Sequence, residues 1–234
     1  MTNPMIHRHR DVQGGAARAA VFGVSDGIVS NVALILGIAG ASTDPAFVRV
    51  AGVSGLLAGA VSMAAGEYIS LKAQAELVAR ELEIERTSIA EDLEGETAEL
   101  AALFVHRGLT AEHAERVAAE LMSDPEVALE IHAREELGVD PNQLGSPVSA
   151  ALSSFSAFAL GAFVPLIPWL LGGGDGAVWA SAVLGVTAAA VVGAVLARLT
   201  ERSVLRTVAR QVLVAAGACT ATYLIGGMLG ASVT

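Results

Sequence analysis

Long apolar stretches make up most of the chain, and one long polar segment interrupts them. Five of these stretches contain about 20 residues or more with few charges; they cover about residues 17–41, 47–71, 148–171, 177–198 and 207–231. An α-helix of about 20 apolar residues crosses a hydrocarbon layer of about 30 Å. The pattern therefore predicts an all-α integral membrane protein with five transmembrane helices.

The polar segment lies between the second and third stretches and is rich in Glu and Ala, which favour helices. Gly108 and the sequence Ser123-Asp124-Pro125 are typical of helix ends and starts. They divide the segment into three predicted helices, at about residues 70–106, 111–122 and 125–137, and only Gly95 weakens the first. No break separates the second apolar stretch from this first helix, so one helix is expected to run from the bilayer into water.

These patterns divide the chain into transmembrane helices 1–2 in residues 1–72, a helical insert in residues 73–147 and transmembrane helices 3–5 in residues 148–234. The composition agrees, because 53% of the residues are hydrophobic and only 16% are charged. The net charge of −10 belongs to the insert, since 18 of the 24 Asp and Glu residues lie between residues 73 and 140. The insert is therefore an acidic domain.

The basic residues predict an orientation. With five spans, 13 of the 14 Lys and Arg residues fall on one side, and only Arg49 falls on the other. The positive-inside rule then puts the N-terminus and the acidic insert in the cytoplasm and Thr234 outside. The N-terminal residues lack the short apolar core of a signal peptide, so the first helix is expected to remain, and the single Cys219 excludes an internal disulfide.

Asp26 and Glu67 are the only acidic residues deep in the predicted spans. A carboxylate near the middle of a bilayer costs about 2.5 kcal/mol or more unless it faces a partner or a water-filled path. Both residues are therefore candidates for a transport pathway. The structural alternative is that Asp26 caps a helix broken at Gly23 and Gly27, while Glu67 lies at the membrane interface.

Met63 and Glu67 are four residues apart and therefore share a helix face. A soft thioether beside a hard carboxylate suits divalent transition metals of borderline character. Ser30 and Asn31 follow Asp26 closely and could supply neutral oxygen ligands. Taken alone, Met63 would more often be a core residue.

In the insert, acidic residues repeat on one side of the predicted first helix. On an ideal helix they fall within about 60° of each other and have no Lys four residues later; they are Glu81, Glu85, Asp92, Glu96 and Glu99. Stacked like charges destabilise a helix, so this stripe is predicted to bind cations, although a charge run is more often a solvated face. His132 and Glu136, also four apart, form a second candidate metal-binding pair, where a lone His would more often be a surface residue.

Several functions are disfavoured. The chain contains no phosphate-binding GxxxxGK[ST] loop and no Glu-x-x-His pair of the kind found in di-iron bundles. The acidic balance does not suit nucleic acid. The sequence predicts that the protein is not an enzyme, and it implies no organic cofactor.

Three quoted stretches together resemble one known family. "FGVSDGIVSNVALILGIAGA", "AGAVSMAAGEYIS" and "SPVSAALSSFSAFALGAFVPLIP", with the acidic insert before the third, are similar to the vacuolar iron transporter family and its yeast calcium/manganese-transporter relatives. The resemblance runs from about Arg18 to the end of the chain. It implies a five-span homodimer that exports Fe²⁺, and often Mn²⁺, from the cytoplasm in exchange for protons.

The resemblance also assigns residues. Asp26 matches the family's first-span carboxylate and Met63 its second-span methionine. Glutamates of the family's cytoplasmic metal-binding domain match Glu85, Glu96, Glu99 and Glu136.

The chain departs from the family at three positions. Ser88 stands where some members have a further glutamate, His132 where some have methionine, and Gly55 where some have a second-span glutamate. An imidazole at residue 132 should suit Fe²⁺, Mn²⁺ or Zn²⁺ about equally.

The expected function is a proton-coupled antiporter that exports a divalent metal, with metal ions, protons, membrane lipid and a second copy of the chain as partners. The alternative is a membrane-anchored metal sensor or buffer, in which the spans only tether the acidic insert. Asp26 and Glu67 favour the antiporter, because a tether does not need intramembrane acids. The Ala-rich chain suggests a prokaryotic plasma membrane, or a vacuolar membrane if the source is eukaryotic.

Overall fold

The computed structural model describes residues 15–141 and 145–231, which form nine α-helices and no strand. Two features used to predict the orientation lie outside the described residues: the basic residues at the N-terminus, up to Arg10, and the C-terminal Thr234. The helices are α1 Gly15–Ala41, α2 Pro45–Glu91, α3 Leu93–His106, α4 Ala111–Leu121, α5 Pro125–Glu135, α6 Pro147–Phe163, α7 Ile167–Leu171, α8 Asp175–Leu199 and α9 Val204–Ala231.

Five helical segments are long and apolar enough to cross a membrane. They are Ala19–Ala41, Pro45–Glu91, Pro147–Leu171, Asp175–Leu199 and Val204–Gly230. The prediction of an all-α protein with five candidate spans is confirmed, and the segments overlap those read from the sequence. In addition, α2 runs for 47 residues without interruption, as expected from the missing break after the second apolar stretch.

The chain forms two compact units. One consists of the residues up to Ile69 and from Pro147 onward, and the other extends from Ser70 to Ser146. The first unit contains four of the segments that could span a membrane and the first part of α2, whose remainder lies in the second unit with the acidic insert.

In the first unit α1 packs against α6, α8 and α9. Glycines allow the closest approaches: a Cβ atom at Gly27 would lie 2.2 Å from the carbonyl oxygen of Phe158, and one at Gly161 would lie 2.4 Å from that of Val24. Contacts this short are impossible for real Cβ atoms, so α1 and α6 touch backbone to backbone. The small residues of these apolar stretches therefore determine how closely the helices pack.

The third span is not a uniform helix, because a 3₁₀ turn at Val164–Leu166 separates α6 from α7. Pro165 and Pro168 lack the N–H groups that a continuous helix needs. Side chains from other helices bond the carbonyls of this region: Asn31 Nδ2 donates to Ala162 at 2.6 Å, and Ser181 Oγ donates to Pro165 at 2.7 Å.

Arg49, the single basic residue on its predicted side, bonds the end of this span. Its Nε donates to the carbonyl of Trp169 at 2.7 Å and its Nη2 to that of Gly172 at 2.8 Å. Carbonyls at a helix C-terminus have no partner within their helix. Arg49 of α2 therefore caps α7.

The second unit has its own apolar core, in which α3 packs against α4. The buried residues of this core are Ile89, Leu100, Ala101, Ala114, Ala118, Met122 and Ala128. The predicted continuous helix over residues 70–106 is wrong, since α2 ends at Glu91 and α3 begins at Leu93. Asp92 Oδ1 accepts a hydrogen bond from Gly95 N at 2.9 Å and caps α3, and a Cβ atom at Gly95 would clash with this carboxylate.

Candidate metal sites

A cavity of about 460 Å³ lies in the first unit, between α1 and α2. All five residues that were assigned to the transport pathway line it: Asp26, Ser30, Asn31, Met63 and Glu67. The helix-cap alternative for Asp26 is wrong, because α1 continues without a break through Gly23 and Gly27. The structure thus brings Asp26, Glu67 and Met63 to one cavity.

Two polar side chains of α1 that line this cavity differ in their hydrogen bonding. Ser30 Oγ donates to the carbonyl of Asp26 at 2.6 Å, whereas Asn31 is 2% exposed and uses Nδ2 to bond α6. Asn31 Oδ1 is buried and has no hydrogen-bond partner within the described part of the chain. A Cβ atom at Gly55 would lie 3.0 Å from this oxygen, so glycine on α2 leaves it room.

Met63 has two sets of neighbours. It lines the cavity and also packs against the buried cluster of Ala60, Phe158 and Ala162. The two readings of this residue, core and metal path, are therefore compatible. Phe158, from α6, also lines the cavity and packs over Gly59; sequence analysis missed it, because an aromatic residue in an apolar span gives no signal of its own.

The second unit holds a cluster of four potential ligands from three helices. Glu85 comes from α2, Glu96 from α3, and His132 with Glu136 from the end of α5. One ligand atom from each residue lies within 4.8 Å of the others. Three carboxylates and one imidazole at this spacing can coordinate a single divalent ion of borderline character.

The centre of this cluster is the Nδ1 atom of His132, whose side chain is fully buried. It lies 2.7 Å from Glu136 Oε1, 2.8 Å from Glu85 Oε1 and 3.8 Å from Glu96 Oε2. A ring nitrogen carries one hydrogen and can satisfy one of these oxygens. When Nδ1 carries the hydrogen and donates it to Glu136, the buried Oε1 of Glu85 has no hydrogen-bond donor among the described residues, although it lies close to the same nitrogen.

Electrostatics in the cluster favour a bound cation. Burial, together with the Glu136 carboxylate, raises the pKa of Glu85, and His132 opposes the shift. Burial also raises the pKa of Glu96, with the Glu99 carboxylate adding to the effect. Carboxylates that are partly desolvated and crowded repel each other, and a metal ion would relieve both costs.

The remaining acidic residues of the predicted stripe are not part of this cluster. The helix is interrupted at Asp92. As a result, Glu81 and Glu85 lie on α2, whereas Glu96 and Glu99 lie on α3. The prediction of one stripe on one helix is therefore wrong. Asp92 caps α3, and Glu81 and Glu99 lie outside the group of four.

Residues 23–27 match the GxSxG pattern of a hydrolase nucleophile, but their structure differs from a nucleophile elbow. That motif requires a sharp turn between a strand and a helix. Here the five residues lie inside α1, and Ser25 Oγ accepts a hydrogen bond from Gln211 of α9 at 3.1 Å. The match therefore supports no hydrolase site.

The fold and the sites together define a class: an all-α integral membrane protein with polar groups facing a cavity between its candidate spans and a ligand cluster in a separate helical unit. A family model described as the VIT family matches residues 17–227. The chain belongs to this family, and the resemblance to vacuolar iron transporters is confirmed.

Named relatives come from plants and an amoeba. The chain is 32% identical to vacuolar iron transporter 1 of Arabidopsis thaliana over 68% of this chain and 63% of the relative. It is 36% identical to the vacuolar iron transporter of Acanthamoeba castellanii over 68% of this chain and 58% of the relative. With vacuolar iron transporter 1 of Eucalyptus grandis the identity is 29%, over 94% and 90%. The aligned region thus spans about three fifths of the first two relatives, and all three names are those of transporters, not enzymes.

Proposed function

We propose that this chain is a proton-coupled antiporter that moves a divalent transition metal, Fe²⁺ above all and also Mn²⁺ or Zn²⁺, out of the cytoplasm. The observation that carries the proposal is the convergence of Asp26, Met63 and Glu67 on one cavity between two candidate membrane spans. Membership of the VIT family and the names of the relatives support iron as the cargo. In this reading the protein is a transporter and not an enzyme.

The chemistry of the cavity supports coupling to protons. A carboxylate in a low-dielectric site either holds a proton or faces a cation, since an empty charged state is costly there. Asp26 and Glu67 would therefore bind protons when the metal leaves and release them when it arrives. Met63 would contribute a thioether, while Asn31 Oδ1 and the hydroxyl of Ser30 would contribute neutral oxygens.

The cluster in the second unit would collect metal before transport. Glu85, Glu96, His132 and Glu136 would be its direct ligands, with Glu99, Glu81 and Asp92 adding negative potential around them. Imidazole and carboxylate ligands suit Fe²⁺, Mn²⁺ and Zn²⁺. The unpartnered Oε1 of Glu85 supports this assignment, because a buried carboxylate oxygen without a donor is otherwise costly.

Orientation and assembly complete the proposal. The distribution of Lys and Arg supports a cytoplasmic insert and an outer C-terminus. The transmembrane part of α2 exposes large apolar side chains such as Phe47, Val50 and Leu57, which can contact lipid or a second copy in a homodimer. A prokaryotic plasma membrane remains our choice of location, with the vacuole as the eukaryotic counterpart.

Flux measurements test the proposal. The purified chain in proteoliposomes, given an imposed pH gradient, should move Fe²⁺ in the direction opposite to protons, and Mn²⁺ and Zn²⁺ can be tried in turn. Metal binding without flux for any of these ions would instead support the sensor or buffer reading. That alternative rests on the ligand cluster, which lies in a compact unit of its own.

A further inference from the structure

A group of arginines lies at the junction of the last two helices. Arg198 is in the last turn of α8, Arg202 is in the connecting turn, and Arg206 and Arg210 follow at the start of α9. All four are exposed. We call this group the arginine patch.

The two helices that carry the arginine patch touch at this end. A Cβ atom at Gly193 of α8 would lie 2.9 Å from the Cα atom of Val208 in α9, and Arg202 N donates to the carbonyl of Ala197 at 2.9 Å. The four arginines therefore belong to one helical hairpin. The only acid in the connecting turn is Glu201.

The positive charge of the patch is not neutralised within the described parts of the chain. None of its four arginines forms an ion pair with a residue in 15–141 or 145–231, Glu201 included. By contrast, four of the five insert arginines have carboxylate partners, Arg86, Arg107, Arg116 and Arg134, and only Arg80 forms no ion pair among the described residues. Among the described residues, the patch is thus a cationic surface without a carboxylate partner.

Apolar side chains accompany the arginines. Leu205 is 79% exposed and Leu213 is 71% exposed. Arg206, Arg210 and Leu213 are spaced at i, i+4 and i+7 and so share one face of α9. Both α8 and α9 are long enough to cross a bilayer, and the junction of two helices that cross lies at the membrane surface. A ligand that fits this surface has both an anionic head and apolar chains.

From this arrangement we propose that the arginine patch binds the phosphate headgroups of anionic lipids, with Leu205 and Leu213 against the acyl chains. Guanidinium groups bind phosphate oxygens through paired hydrogen bonds. Zwitterionic lipids should bind less tightly, because they carry no net negative charge. The lipid would hold the α8–α9 hairpin at the membrane surface. The inference does not depend on metal transport.

Native mass spectrometry of the full chain in nonionic detergent tests this. The protein is titrated with phosphatidylglycerol or with phosphatidylcholine of the same acyl chains. We expect affinity at least about tenfold higher for phosphatidylglycerol, since each arginine near the surface contributes about fivefold, or about 1 kcal/mol. The combined change Arg202→Gln, Arg206→Gln and Arg210→Gln should remove most of this preference, whereas the three matching Arg→Lys changes should keep the larger part.

The matched control removes three exposed arginines of the insert, Arg80→Gln, Arg86→Gln and Arg116→Gln, and should keep the preference. Equal affinity of the wild type for the two lipids would overturn the proposal without any variant. So would an undiminished preference in the glutamine variant of the patch. Displacement of the lipid by excess inorganic phosphate would show a site for free anions instead.

Discussion

Asp26 lines the cavity, and the proposed mechanism requires its carboxyl group to alternate between proton and metal. Asp26→Asn keeps the size of the side chain but removes the titratable charge. We expect metal flux driven by a pH gradient to fall at least about tenfold, the scale of 1.4 kcal/mol for losing one charged contact. Insertion and folding should be preserved, because the variant has no charge to place in an apolar span.

Asp44→Asn is the matched control for this change. Asp44 lies between α1 and α2, outside the lining of the cavity, and its Oδ1 accepts a hydrogen bond from Ala46 N at 2.8 Å. Asparagine can keep that bond, so flux should stay near the wild-type value. Normal flux in Asp26→Asn at equal protein would remove Asp26 from the mechanism.

The pKa of Glu85 predicts how the stability of the metal-free protein depends on pH. Burial raises the pKa of this carboxyl group. A group of this kind stabilises the fold below its unfolded pKa of about 4.3, and this contribution is lost as the pH rises through the folded pKa. Glu85→Gln should therefore raise the melting temperature of the metal-free protein at about pH 7.5, by a few degrees at most, and by less at about pH 5.

When metal is present, Glu85→Gln should instead lower the melting temperature relative to the wild type, because the variant has lost a metal ligand. Thermal scans with chelator and with Mn²⁺, at both pH values, measure the two effects. Glu91→Gln, at the exposed end of α2, is the control and should show neither effect. Without metal, the Glu85 variant and the wild type could have the same melting temperature at both pH values. That result would contradict the crowding of carboxylates around His132.

At the scale of elements, the packing of α1 against α6 depends on Gly27. A methyl group there would lie 2.2 Å from the carbonyl oxygen of Phe158 and 3.0 Å from Ala162 N, both backbone atoms that cannot move aside alone. Gly27→Ala should lower stability in detergent by about 1–3 kcal/mol, the usual range for overpacking. Gly217→Ala in α9 is the control; no atom lies within 4 Å of its Cβ position, so the change should be neutral or slightly stabilising.

Thermal unfolding monitored by circular dichroism compares the two variants. Equal melting temperatures for the Gly27 and Gly217 variants would mean that α1 and α6 are not in backbone contact.

The elements also show how far sequence analysis reaches. Five spans could be predicted because length and hydropathy alone decide whether a helix suits a bilayer. Asp26 and Glu67 could be found because a carboxylate is conspicuous in an apolar stretch. The break at Asp92 could not, since it depends on a side-chain cap that competes with strong helix propensity on both sides.

Tertiary contacts explain the other differences. His132 was expected to pair with Glu136, but its burial and its contact with Glu85 arise only when α2 and α5 come together. The prediction of an acidic stripe was wrong for a local reason: it assumed one straight helix, whereas the cap at Asp92 separates α2 from α3. Arg49 was noted only for its charge, whereas the structure shows it capping α7, a role that depends on the fold and not on local pattern.

For the whole molecule, the proposal assigns metal collection and metal passage to separate units. Glu96→Gln should weaken metal binding at the cluster at least about tenfold, because even outer partners of metal ligands contribute 10–100-fold. Flux at saturating metal should fall less, since the cavity is intact. Calorimetry on the full chain and flux in proteoliposomes measure the two quantities, with Glu94→Gln, on the same helix but outside the group of four, as the control. Abolished flux in a folded Glu96 variant would contradict this division.

The orientation of the whole chain gives the last prediction. Single cysteines are introduced into a Cys219→Ser background, at Ser42 between α1 and α2, at Ser123 in the insert and at Ser203 between α8 and α9; all three positions are exposed. With five spans and the basic residues inside, Ser123→Cys and Ser203→Cys should react with a membrane-impermeant reagent only from the cytoplasm, and Ser42→Cys only from outside.

The critical position is Ser203, because the third span contains the 3₁₀ turn at Val164–Leu166. If α6 and α7 together cross the bilayer, as their 25 residues allow, Ser203 and Ser42 lie on opposite sides. If the chain instead turned back at the 3₁₀ turn, the third span would not cross. Ser203→Cys would then react from the same side as Ser42→Cys. Labelling of Ser123→Cys from outside would reverse the orientation and place the metal cluster at the exit of the pathway instead of its entrance.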